Sequence, residues 1–184
     1  YPIRVALSAG GANYSVTDSS FLDRGLAECT TIRMNLSALP ATGSACTLGT
    51  QGSFGPDRVT RNLYDAAGQL SKIQRAVGTS LQQDYTAYTY TTNGKQATIT
   101  DAKGNKSQLT YNGFDRLVQL NFPSKTTAGT VSSTDYEQYA YDASGNRTSL
   151  RKRDAQVIAY TYDALNRNVL KDVPGGYAND VYFD

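Results

Sequence analysis

Apolar and polar positions alternate in short runs along most of the chain. Tyr88-Thr89-Tyr90 and Tyr160-Thr161-Tyr162 show it most clearly. A period of two places both rings on one face of a β-strand, and Tyr and Thr favour strands. Each run stops at a turn signal. Directly after the second aromatic stands Asp65, Thr91, Asn112, Asp142 or Asp163, side chains that bond backbone N–H groups just ahead. Four residues after the aromatic stands Gly68, Gly94, Asp115, Gly145 or Asn166, types that tolerate φ > 0. Return strands follow as QATITD (96–101), RLVQLNF (116–122) and RTSLRKR (147–153), then further turns such as DAKGN (101–105) or DVPGG (172–176). The pattern predicts a β-hairpin unit of two short strands and two tight turns.

The unit recurs as NLYDAAGQL (62–70), YTYTTNGKQ (88–96), LTYNGFDRL (109–117), YAYDASGNR (139–147) and YTYDALNRN (160–168), and VYFD (181–184) opens another. The anchoring aromatics are Tyr64, Tyr90, Tyr111, Tyr141, Tyr162 and Phe183, spaced by 26, 21, 30, 21 and 21 residues. A 21-residue period with two insertions accounts for every interval. The insertions are GTSLQQ (78–83) and SKTTAGTVSST (124–134), and insertions in repeat arrays fall in loops on one face. One hairpin cannot bury its aromatic face. Stacked units predict an all-β, antiparallel ribbon whose Tyr/Leu stripe packs between repeats. An exposed tyrosine row that stacks on sugar rings is the competing reading.

Residues 59–184 therefore read as five repeats and the start of a sixth, and residues 1–58 as a degenerate repeat region. Phe21 with Gly25 four residues on marks a worn unit. The Gly/Ser/Thr/Pro-rich stretch 29–58 holds both cysteines, Cys29 and Cys46. A disulfide closing that loop would stabilise by roughly 3 kcal/mol, and an even cysteine count in a loop-rich, exported chain favours it. Two reduced, buried thiols are the other reading.

Composition narrows the chemistry. With no histidine, neither a Ser-His-Asp nor a Cys-His arrangement can form within the chain, and two cysteines alone make no structural zinc site. A formal charge of +2 argues against a nucleic-acid surface, and no apolar run reaches membrane-span length. Position 1 is Tyr rather than Met, so the chain reads as a mature or excised piece. Asp65, Asp142 and Asp163 recur once per unit, which fits turn capping and not a single acid–base site. DAKGN lacks the alternating ligands of a calcium loop. RKRD (151–154) reads as a charged guard on a strand edge, with Arg147, Arg151 and Arg153 placed to stack on neighbouring rings. No phosphate loop, dinucleotide fingerprint, metal site or cofactor is expected.

YDAAGQL, YDASGNR, YDALNRN and YNGFDRL resemble the YD repeats of Rhs (rearrangement-hotspot) proteins, insecticidal toxin complexes, bacterial wall-associated proteins and teneurins. Thr91 and Asn112 replace the usual Asp, and Asp115 the usual Gly, with the turn chemistry kept. The resemblance implies a curved, spiralling hairpin ribbon forming part of a hollow shell. In the toxin members that shell encloses a C-terminal toxic polypeptide, released by an aspartyl-protease-like segment that VPGG (173–176) matches poorly. It implies a non-catalytic structural segment of a secreted or cell-surface bacterial protein. Its partners would be the remainder of its own parent chain and an encapsulated C-terminal toxin. The alternative is a cell-surface module that binds glycans. An excised strip would also self-associate through unpaired sheet edges.

Overall fold

The computed structural model describes residues 1–41, 45–175 and 180–183. The last residue of the expected 172–176 turn therefore lies outside the described residues. The fold is all-β and antiparallel, with fourteen strands among the described residues. The chain divides into two compact units, Tyr1–Tyr88 and Thr89–Asp184.

The first unit holds β1 (Pro2–Ala9), β2 (Ala12–Phe21), β3 (Ala27–Ile32), β4 (Arg58–Tyr64), β5 (Leu70–Arg75) and most of β6 (Gln83–Tyr90). Each strand pairs with the next in chain order. The even positions Val16, Asp18 and Ser20 of β2 are buried, as period two requires. Cys29 and Thr31 of β3 and Val59 of β4 lie opposite or beside them in register and are also buried. Ala45 and Val77 complete this core from the connections after β3 and β5. The segment read as a degenerate repeat is thus the best-packed part of the unit.

The second unit holds β7 (Gln96–Asp101), β8 (Lys106–Tyr111), β9 (Leu117–Pro123), β10 (Val131–Tyr141), β11 (Arg147–Arg151), β12 (Val157–Tyr162), β13 (Asn168–Asp172) and β14 (Val181–Tyr182). These strands also pair in chain order. Among its described residues only Asn121 is buried, and no apolar side chain is. The sheet here is a single layer; strand side chains such as Leu109 opposite Leu120 and Tyr139 opposite Leu150 are half-covered by cross-strand neighbours, while Phe114, Val157 and Leu165 stay exposed. Such pairs are the unit of sheet stabilisation.

Candidate functional site

The repeated turns and their anchor rings are the candidate site. Eight turns among the described residues share one pattern: 22–26, 65–69, 91–95, 101–105, 112–116, 142–146, 152–156 and 163–167. In each, the first residue's N–H donates to the fifth residue's carbonyl, and the fourth residue's N–H donates to the first residue's carbonyl. This is a type I turn followed by a left-handed residue. Gly68, Gly94, Asp115, Gly145 and Asn166 hold φ of 81°, 78°, 58°, 91° and 61°. Gly25, Gly104 and Ala155 occupy the same position at 73°, 80° and 67°.

Where the first residue is Asp, Asn or Thr, its side chain caps the turn. Asp65 Oδ1 accepts from the N–H groups of Ala67 and Gln69, both at 2.9 Å. Asn112 Oδ1 accepts from Phe114 and Arg116, and Asp163 Oδ1 from Leu165 and Arg167. Thr91 Oγ1 accepts from Lys95 N–H at 3.2 Å. Asp142 Oδ1 accepts from Asn146 N–H at 2.8 Å, and its Oδ2 from the Asn146 amide. The Asn146 side-chain bond, ahead of the backbone N–H groups, holds the Asp142 carboxyl below the usual range. Backbone and guanidinium donors of Arg167 do the same for Asp163. Each of these carboxylates is engaged by its own turn.

The anchors tie one hairpin to the one before. The hydroxyl of Tyr64 donates to Ala27 O at 2.7 Å, Tyr111 to Gln96 O at 2.9 Å, Tyr141 to Leu117 O at 2.9 Å and Tyr162 to Arg147 O at 3.0 Å. Every acceptor is the first residue of the preceding return strand, β3, β7, β9 or β11. Register shifts at Phe21, Tyr64, Tyr111, Tyr141 and Tyr162 mark a bulge at the close of these five hairpins. A bulge disrupts the ladder locally, and the next phenol supplies a donor there. Tyr64, Tyr90, Tyr111, Tyr141 and Tyr162 are half-buried, while Phe183 is exposed.

Side chains link neighbouring turns further. Asn93 Nδ2 donates to Asp115 Oδ1 at 3.0 Å, Arg116 Nη1 to Asp142 O at 3.2 Å and Asn146 Nδ2 to Asn166 Oδ1 at 2.8 Å. Guanidinium groups cover rings: Arg147 over Tyr160 at 4.7 Å, Arg151 over Tyr136 at 3.9 Å and Arg153 over Phe122 at 3.9 Å. Arg153 also binds Asp135 with two N–H groups. The Tyr139 hydroxyl donates to Glu137 Oε2 at 2.7 Å. Burial, helped by Glu137, pushes that phenol up to about 12.

One cluster gave no signal in the sequence. The Arg33 guanidinium is buried between Asp18 and Asp57, at 2.7 Å from each. Asp18 also pairs with Arg4 at 2.6 Å, and Asp57 accepts from the N–H groups of Met34 and Gly49. Single charged residues scattered over forty positions carry no spacing rule that would have flagged them. Cys29 and Cys46 are joined, with 2.05 Å between sulfurs. The bond fastens the long connection after β3 to β3 itself, beside this ion-pair chain.

The family model described as Teneurin YD-shell matches residues 57–183. The chain belongs to the teneurin YD-shell family. The matched span begins next to β4 and covers all the tyrosine anchors. No curated protein matches the chain. Solved structures resemble the fold of this YD-shell chain. The Photorhabdus luminescens Tc holotoxin pore, in a TccC3 point mutant, matches with a TM-score of 0.54 and 21% identity over 90% of this chain and 8% of that one. The TcdB2-TccC3 crystal structure matches with a TM-score of 0.54 and 21% identity over 90% and 9%. Its form without the hypervariable C-terminal region matches with a TM-score of 0.54 and 17% identity over 91% and 10%. The chain thus spans about a tenth or less of the structures it matches.

Proposed function

We propose that this chain is a non-catalytic stretch of wall in a larger β-shell, where the hairpin ribbon curves and spirals with the remainder of its parent chain. The enclosed or displayed partner is a C-terminal toxin or effector of a secreted or cell-surface bacterial protein. The observation that carries this reading is the phenol link between successive hairpins. It makes each unit depend on the one before, so the repeat has a use only as part of a continuous surface. The single-layer sheet of the second unit supports the same reading, because cross-strand pairs such as Leu109 with Leu120 and Tyr139 with Leu150 are lateral contacts along a ribbon. The cap residues serve turn geometry, which leaves no carboxylate pair in that array for hydrolysis. A glycan-binding role needs an exposed row of rings, whereas the anchor rings are half-buried and four of the hydroxyls are committed to carbonyls.

Limited proteolysis of the full parent protein tests the reading. The polypeptide following the repeats should resist digestion in the native protein and be degraded once mild denaturant opens the shell. Equal digestion rates in both states would contradict it.

A further inference from the structure

The first unit carries an apolar groove that the wall reading does not use. Its volume is about 600 Å³, and Ile32, Phe54, Pro56, Val59, Ala76 and Leu81 supply its apolar lining. Val59 is buried and forms the floor, whereas Ile32, Phe54 and Leu81 are 44%, 78% and 76% exposed. Folding alone gives no reason for this display. Phe54 stands on a tight turn closed by Gly55 N–H to Gly52 O at 3.3 Å. Leu81 stands on a second turn held by Gln82 N–H to Thr79 O and by Leu81 N–H to Thr79 Oγ1. Two hydrogen-bonded turns thus hold large apolar side chains of the groove lining out into water. Contiguous exposed apolar surface of this kind marks a contact site, and the volume is that of ordinary ligand pockets.

The charge at the rim selects the partner. Arg58 and Arg75 both line the groove, and both are exposed. Arg58 has no ion-pair partner among the described residues. Arg75 lies 3.5 Å over the Tyr85 ring. The acid in the lining, Asp57, is neutralised by Arg33 and capped by two backbone N–H groups. The groove therefore offers an apolar floor flanked by exposed positive charge. We propose that it binds an extended peptide segment in which aromatic or aliphatic side chains are interleaved with carboxylates. The apolar side chains enter between Phe54 and Leu81, and the carboxylates meet Arg58 and Arg75. This inference stands apart from the shell reading.

Fluorescence anisotropy with a fluorescein-labelled peptide of sequence DEFDEL tests it, with KKFKKL and DESDES as comparisons. The intact chain should bind DEFDEL saturably and in a salt-sensitive manner, and each comparison peptide at least about tenfold more weakly. Arg58→Glu and Leu81→Ser should each weaken binding by about tenfold or more. Both side chains are exposed, and unchanged circular dichroism would show that the variants fold. If either variant misfolds, Phe54→Ser supplies the same comparison. No saturable binding, equal affinity for the basic peptide, or indifference to the substitutions would overturn the proposal. So would concentration-dependent self-association that Phe54→Ser abolishes in a chain that does not bind the peptide.

Discussion

The Tyr162 hydroxyl donates to the backbone carbonyl of Arg147 at 3.0 Å, joining the turn of one hairpin to the return strand of the hairpin before. Tyr111 makes the equivalent bond to Gln96 across the same 15-residue separation. For Tyr141 the separation is 24, because the insertion after β9 lengthens the chain without moving the contact. The link gives the hydroxyl of Tyr64, Tyr111, Tyr141 and Tyr162 a use that Phe in the same space would lack. Tyr162→Phe should lower the stability of the chain by about 0.5–1.5 kcal/mol, and Tyr141→Phe by a similar amount. Urea denaturation followed by circular dichroism measures both. A loss near zero for both variants would mean that the ring alone matters.

The left-handed turn position gives a second expectation. Ala155 sits at φ 67° in a position that Gly holds in five of the eight turns. Ala155→Gly should stabilise by about 0.5–1 kcal/mol, the αL strain relieved less the added freedom of the unfolded chain. Asn166→Val, at φ 61°, should destabilise by about 1–2 kcal/mol, since a β-branched residue is strained there. Thermal unfolding of the two variants should shift in opposite directions.

The buried ion-pair chain predicts acid sensitivity. The hydrogen bond from Arg4, opposed by burial and joined by Arg33, holds the Asp18 carboxyl below its ordinary value. Burial raises Asp57, but donation from Met34 N–H, Arg33 and Gly49 N–H outweighs it and leaves that carboxyl low as well. A depressed carboxyl stabilises the fold above its unfolded value of about 3.9 and loses that contribution as pH falls through the folded value. The first unit should therefore unfold on acidification below about pH 4. Arg33→Leu should cost about 3–5 kcal/mol at neutral pH, because Asp18 and Asp57 lose their shared cation. Circular dichroism across pH would show a flat profile if these pairs contribute nothing.

Reducing the Cys29–Cys46 bond opens a loop with a sequence separation of 17. The loop-entropy relation assigns such a closure about 3 kcal/mol. Dithiothreitol, or Cys46→Ser, should lower the urea midpoint accordingly while the phenol-linked second unit keeps its strand signal.

The repeat region was legible because its rules are local. Alternation marks the strands, and an Asx or Thr followed three residues later by Gly, Asn or Asp marks the turns. Strands and tight turns stand where these signals fall, and at Phe21 a register shift of the same kind precedes the pairing with Ala27. Ala155 escaped notice because Ala carries no φ > 0 signal. The phenol links escaped because their acceptors are backbone carbonyls in another unit, at separations that insertions change. The first unit's core was least legible. Asp18, Arg33 and Asp57 meet only after the connection following β3 folds back, and the Gly/Ser/Thr-rich composition of that connection resembles a plain loop.

Cryo-electron microscopy of the full parent protein would show where the repeats lie. Residues 59–184 should lie within the wall of a closed β-shell, flanked on both sides by further paired strands of the same chain. A parent protein in which this stretch forms a separate module, attached by linkers and walled off from any enclosed volume, would contradict it.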